Sequence, residues 1–196
     1  TPDIFTQFRK ENEEITPVRP PLPTPSAMPP LPADLVSDPL PTLQSLGHDS
    51  IPEEPRAVLQ FQGGETAALA RLHHYFWETD HIKRYKETRN GLIGGDYSSK
   101  FSPWLAQGCL SPKTIYAELK KYERLRGANE STYWMFFELL WRDFFRLQGK
   151  KHKNRIFLKG GPQRKRLRHL SENTELFQAW AEGRTGVPFI DANMRE

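Results

Sequence analysis

The sequence predicts an all-α fold preceded by a proline-rich connector, and three observations predict it. Thirteen of the 17 prolines fall between Pro2 and Pro55. From Gly63-Gly64 onward, apolar residues recur at helical spacing between Ser-Pro, Asn-Gly and Gly-Gly breaks. Strand-like signal is confined to Val58–Phe61 at most, and no internal repeat is visible. A chain of 196 residues can hold one domain with a sizeable core, or a smaller domain with a tail. The proline distribution selects the second, so the core is expected from residue 57 onward.

The elements follow in chain order. Residues 1–16, TPDIFTQFRKENEEIT, carry Ile4, Phe5 and Phe8 and read as a short helix. Residues 17–56 form a polyproline-biased connector of semi-rigid character. It is either solvent-exposed or docked on the domain surface through Leu43 and Leu46. Leu69, Leu72 and Phe76 then recur at i, i+3 and i+7, with Ala68, Tyr75 and Trp77 alongside, predicting an amphipathic helix. Asn90-Gly91 and Gly94-Gly95 break the pattern. Ser102-Pro103 and Ser111-Pro112 each place an N-cap hydroxyl before a proline at the first helical position. The second opens a helix with Ile115, Leu119 and Tyr122 inward, ended by Gly127. Ser131 is the expected cap of the next helix, which is apolar nearly all round from Tyr133 to Leu147 and therefore central. Leu176, Phe177 and Trp180 mark one more helix, closed at Gly183. Asp191 reads as the cap of another.

Composition excludes several classes. One cysteine, Cys109, rules out a disulfide framework within the chain and fits a reducing, intracellular setting. No apolar run approaches the ~20 residues that cross a bilayer. His73-His74 are adjacent and cannot share a helical face, the other histidines are scattered, and no metal spacing emerges. No nucleophile motif is visible. The chain opens on Thr1-Pro2-Asp3 without an initiator methionine, and both ends read as cuts, predicting a fragment. The net charge of +4 is uneven: Arg142 to Arg168 holds eleven Lys/Arg against one acid, Asp143. Such a segment either solvates itself or meets a polyanion.

Three segments can carry chemistry. In the first, Tyr85–Asn90 is followed by Asp96-Tyr-Ser-Ser-Lys-Phe-Ser-Pro103. Ser98, Ser99, Lys100 and Ser102 precede a helix start, where free N–H groups and the dipole favour a phosphate; the alternative is a serine-rich turn with Ser102 as a plain cap. In the second, Glu138 and Arg142 are four apart among Trp134, Phe137, Trp141 and Phe144, and charge there needs a partner, either each other or a ligand. Trp141 can stack on a base, hold a flavin edge, or simply be core. The third is the basic pair of runs Lys150–Arg155 and Arg164–Arg168 around Ile156, Phe157 and Leu158, suited to phosphate contacts or to a solvated loop.

Taken together and in order, these segments resemble the photolyase/cryptochrome family, most closely its DASH branch. The matching stretches are FTQFRK (5–10), GGETAALARL (63–72), YKETRNGLIGGDYSSKFSPWLAQGCLSPKTIY (85–116), STYWMFFELLWRDFFRL (131–147), KGGPQ (159–163) and TGVPFIDANMRE (185–196). The resemblance implies that residues 1–16 end an antenna domain, 17–56 are an interdomain linker and 57–196 are the first part of a helical domain binding FAD and DNA. By position, Tyr85 resembles a flavin-contacting tyrosine, and Ser98, Ser99, Lys100, Phe101 and Ser102 match the family's phosphate-cradling loop. Arg89 matches an arginine reaching DNA phosphate, Glu138 the carboxylate beside flavin and lesion, Trp141 the aromatic against a flipped pyrimidine dimer, and Arg142 its basic neighbour.

The resemblance further implies blue-light-driven electron transfer from FAD to cyclobutane dimers, preferably in single-stranded DNA, by a monomer. RNA is a further candidate partner. A folate or deazaflavin antenna is implied for the full-length protein. The alternatives are a signalling photoreceptor of the same fold, or a nucleic-acid-binding adaptor that has lost flavin. One departure stands out: ten residues before Trp180 the family usually has a relay tryptophan, and here that place is Leu170. The family's downstream flavin-contacting motifs lie beyond Glu196, so this chain alone is not expected to close a flavin site.

Overall fold

The computed structural model describes residues 1–36, 38–49, 54–55, 57–164 and 172–195. Every regular element among them is helical, so the all-α class holds and Val58 to Phe61 form no strand. Leu170, and Lys165 to Arg168 of the second basic run, lie outside the described residues. The chain divides into two compact units, Thr1–Arg146 and Leu147–Glu196.

In the first unit, helix α1 (Phe5–Ile15) buries Phe5 and Phe8 and leaves Ile4 and Ile15 in water. It stops because Thr16 is extended ahead of Pro17, and a residue before proline disfavours helical dihedrals. The described part of the connector is exposed. Leu43 and Leu46 are 50% and 59% exposed, so the alternative in which they anchor it to the domain is not the one formed.

Helix α2 (Glu65–His73) buries Ala68, Arg71 and Leu72, while Leu69 remains 42% exposed. The inward stripe is thus rotated from the predicted Leu69–Leu72–Phe76 run. The turn that follows, His74–Glu78, is π-helical, closed by the Thr79 N–H on the His74 carbonyl at 3.0 Å. A wider turn rotates less per residue, so the neighbours Tyr75 and Phe76 both point inward and are fully buried. The chain leaves this turn through Asp80, whose φ of 57° is left-handed. Asp80 accepts hydrogen bonds from the Tyr122 hydroxyl at 2.5 Å and from Arg126 at 3.0 Å.

Short helices α3 (Tyr85–Thr88) and α4 (Ser102–Gln107) flank the serine-rich loop. Helix α5 (Pro112–Arg126) is as the sequence predicts: the Ser111 hydroxyl accepts from the Lys113 N–H at 3.2 Å, and Ile115, Leu119 and Tyr122 are buried. Helix α6 (Glu130–His152) starts differently. Its cap is Asn129, whose side-chain oxygen accepts from the Thr132 N–H at 2.9 Å while its own N–H bonds the Thr132 hydroxyl. Ser131 is instead buried against α3, accepting from the Lys86 N–H and donating to Glu87. The core gathers Leu72, Tyr75, Phe76, Phe101, Ile115, Leu119 and Met135. Each large apolar side chain buried there contributes about 1.5–3 kcal/mol before entropy is counted.

In the second unit, α7 (Thr174–Ala181) is capped by Asn173, which accepts from the Leu176 N–H at 2.9 Å. Helix α8 is Pro188–Arg195. Asp191 lies within it rather than at its cap, and reaches back to the N–H groups of Thr185 and Gly186 at 2.7 and 3.0 Å. Lys150, Lys151, Lys153 and Arg155 are exposed, beside Phe157, which is 83% exposed.

Candidate functional site

A cavity of about 380 Å³ opens between α3, α4 and α6, within the first unit. Tyr85, Ser99, Phe101, Ser102, Glu138 and Arg142 line it, with Leu105, Met135 and Leu139 as an apolar wall. Six of the residues singled out from sequence therefore converge on one space. Its size is within the usual range for small-molecule pockets.

Each polar wall has a structural cause. Glu138 and Arg142 lie one helical turn apart on α6, so they face the same side. They are not each other's partner. Glu138 accepts a hydrogen bond from Arg89 at 2.5 Å, and the nearest acid to Arg142 is Asp143, at 3.9 Å. The intrahelical pair expected from spacing yields to a partner that the fold brings in from the end of α3. Arg89 lies over the Trp134 ring at 5.5 Å, as Lys86 does at 5.0 Å. Burial and then the charge of Glu138 push the Tyr85 hydroxyl up to about 12, against the pull of Arg89. Tyr85 is thus protonated at neutral pH and available as a donor.

The serine loop adopts the conformation of an anion concavity. Lys100 has a left-handed φ of 56°, followed by Phe101 at φ −78° and ψ −13°. Alternation of that kind makes successive N–H groups converge. Ser102 is the first residue of α4 and its hydroxyl caps nothing, so the plain-cap alternative fails, and Ser102 lines the cavity. With only six residues, α4 adds little dipole, and the loop itself carries the anion preference. Lys100 folds back to hydrogen-bond the Tyr97 hydroxyl and lies 3.8 Å over that ring, away from the cavity lining. Ser98 also stands off the lining, its carbonyl turned to Arg71.

Trp141 does not line the cavity either. Phe5 of α1 stacks on its indole at 3.6 Å and 12°, and Phe145 stacks at 5.3 Å and 24°. Arg9 and Glu13 tether α1 through the Tyr133 hydroxyl at 2.5 and 2.8 Å. A base would meet this indole at its edge, or after one phenyl ring moves aside.

Sequence reasoning passed over Arg71. Only 8% exposed, it donates to the carbonyls of Gly95, Ser98 and Ser99 and to Asp96 at 2.7 Å. The available signal was a lone arginine on the stripe Ala68–Leu72–Tyr75, where a charge must be paired. Asp96 also accepts from His74, which bonds Glu78 with its other nitrogen. Burial works against the Asp96 charge, but the bonds from Arg71 and His74 hold its carboxyl below the ordinary value.

Among the described residues no cluster suits a metal, and no helix is long and apolar enough to cross a membrane. Hydroxyls, a nest of N–H groups, a guanidinium and an apolar wall instead fit a ligand that is part phosphate and part aromatic, as FAD is.

Comparison with known proteins agrees. A family model described as the FAD binding domain of DNA photolyase matches residues 134–196. Cryptochrome DASH of Danio rerio is 55% identical over the whole chain, which covers 37% of that protein. Cryptochrome DASH of Natronomonas pharaonis is 52% identical over 99% of the chain and 40% of its own length. The crystal structure of the Synechocystis sp. cryptochrome matches 99% of the chain, and 40% of its own, at 50% identity and a TM-score of 0.90. The chain spans about two fifths of the length of these relatives. With its motifs in family order and its fold all helical, the chain belongs to the photolyase/cryptochrome family, in the cryptochrome-DASH branch.

Proposed function

We propose that in the intact protein this chain supplies one wall of the flavin site, and part of the DNA face, of a blue-light-driven lyase that splits cyclobutane pyrimidine dimers in single-stranded DNA. The observation supporting it is the convergence of Tyr85, Ser99, Phe101, Ser102, Glu138 and Arg142 on one cavity. Bound FAD would supply the photoexcited electron donor. Ser99 and Ser102 would donate to its phosphates, with Ser98 and Lys100 completing the loop. Phe101, Leu105 and Leu139 would exclude water. The Glu138 carboxylate would accept from base or ring N–H groups at the cavity mouth, and Tyr85 would donate. Arg89 and Arg142 offer cations to DNA phosphate, and Trp141 an aromatic edge to the extruded base. A single strand is preferred because unstacking a base from a duplex costs several kcal/mol. Single-stranded RNA presents the same phosphates and is a competitor. In this reading residues 1–16 close the antenna domain, 17–56 link it to the helical domain, and absorbance beyond that of FAD would report a folate or deazaflavin antenna.

A second reading is favoured by the rings stacked on Trp141: a photoreceptor that binds flavin and signals without repairing. One assay separates the two. The intact protein is illuminated with blue light together with a dimer-bearing single-stranded oligonucleotide. Restored monomeric bases support repair; light-dependent flavin bleaching with undiminished dimer supports signalling and sinks the lyase reading.

A further inference from the structure

We propose that Arg71 is the positioning residue of the serine loop: its guanidinium turns three loop carbonyls inward, which aims the intervening N–H groups outward as donors to a diphosphate. This rests on the flavin reading of the cavity and deepens it.

The geometry starts from the peptide bond. In a trans peptide the C=O of one residue and the N–H of the next point in opposite directions. The Ser98 carbonyl accepts from Arg71 at 3.2 Å and the Ser99 carbonyl at 3.0 Å. The N–H groups of Ser99 and Lys100 are therefore directed away from the guanidinium. The Gly95 carbonyl, at 2.9 Å, directs the Asp96 N–H likewise. Among the described residues none of these three N–H groups has an acceptor in the chain. The loop is part-exposed, and of the three, Ser99 lines the cavity, where donors that the chain leaves unused suit an anion.

Arg71 is fitted to the task. It sits on α2, 24 to 28 residues before the loop it holds, so its grip is independent of the loop's own sequence. The fork of donors is engaged on four loop atoms at once, and the Tyr75 ring lies 5.5 Å from the guanidinium carbon. A lysine keeps the charge but presents its donors from a single atom, which cannot span that arc. Asp96, held by His74 from the other side, fixes the guanidinium in turn. Arg71 is not itself a lining residue and meets the lining only at the Ser99 carbonyl, so its influence passes through the loop.

The test compares two ligands that share the ring system and differ in phosphate: FAD and riboflavin. Dissociation constants of both are measured by fluorescence in the intact protein, as wild type, Arg71→Lys and Asp96→Asn. Wild type is expected to prefer FAD. Arg71→Lys should reduce that preference about tenfold or more while riboflavin affinity stays within about twofold. Asp96→Asn changes a part-exposed group, so it tests the idea even where Arg71→Lys fails to fold, and should reduce the preference by about threefold. Equal weakening of both flavins would mean a purely structural arginine and would overturn the proposal. A preference retained in every folded variant overturns it too. A wild type with no preference for FAD overturns the cradle reading itself, and this proposal with it.

Discussion

Glu138 of α6 and Arg89 at the end of α3 form an ion pair at 2.5 Å, and that pair sets the charge at the cavity mouth. The side chains are 31% and 29% exposed, so the pair adds about 1 kcal/mol or less to stability. Its electrostatic effect is larger. Glu138→Gln removes the negative charge that helps push the Tyr85 hydroxyl upward, so Tyr85 should titrate lower, yet still above the ordinary tyrosine range because burial is the larger cause. NMR titration of labelled tyrosine checks this, and an unmoved Tyr85 refutes it.

Phe5→Ala removes one of the two rings stacked on Trp141. A buried phenylalanine cut to alanine costs about 3–5 kcal/mol, expected as a lower unfolding midpoint. Water reaching the indole should also red-shift the tryptophan emission. Emission unchanged from wild type would show that Trp141 does not depend on α1.

The cluster joining α2 to the serine loop predicts a pH profile. The bond to Glu78, opposed by burial and aided by Asp96, raises His74 above 6.5, so its contribution is full below 6.5 and is lost as pH rises through the folded value. Asp96 is lowered below 3.8, so its contribution is full above 3.8 and is lost as pH falls through its folded value. Between 3.8 and 6.5 both are present. His74→Gln should flatten the alkaline limb of the midpoint-versus-pH curve and shrink the acid limb to the part that Arg71 sustains on Asp96. His73 shares the Glu78 carboxylate, so the same variant in a His73→Gln background checks the assignment.

Two neighbouring polar residues at the start of α6 should fail for different reasons. Asn129→Ala loses a cap and costs about 0.5–2 kcal/mol. Ser131→Ala leaves the Lys86 N–H without its partner under α3, at about 1–3 kcal/mol. Denaturant unfolding reads both, and an Asn129→Asp variant near wild-type stability would confirm that capping is the mechanism.

The basic segment of the second unit carries a salt prediction. Lys153→Glu with Arg155→Glu should weaken single-stranded DNA binding and flatten its dependence on salt, by about 0.7 log units per log unit of salt for each phosphate no longer neutralised. An unchanged slope would assign DNA binding to other cations.

What the sequence made legible was mostly local. Ser111-Pro112 and the spacing of Ile115, Leu119 and Tyr122 define α5 without help from the rest of the chain. Ser131 misleads because a cap-type residue and a buried hydroxyl look alike until α3 is seen to lie on it. Glu138 and Arg142 have the spacing of a helical pair, but the competing partner is 49 residues away in sequence, and only the fold brings it near. The Ser98–Ser102 loop is recognisable by composition, whereas its conformation depends on Arg71, whose four partners lie outside its own helix. Trp141 reads as an aromatic on a helix face; that Phe5 stacks on it depends on α1, separated from it by the proline-rich connector.

The widened turn at His74–Glu78 also constrains how this stretch can change over time. Its extra residue acts as a spacer that brings Asp80 to Tyr122 and Arg126 while two adjacent rings stay inside. Deleting any one of the five would restore regular winding and swing everything downstream, up to the tyrosine at the cavity, by roughly a quarter turn. Homologous chains should therefore keep the length of the stretch fixed as well as its two buried rings.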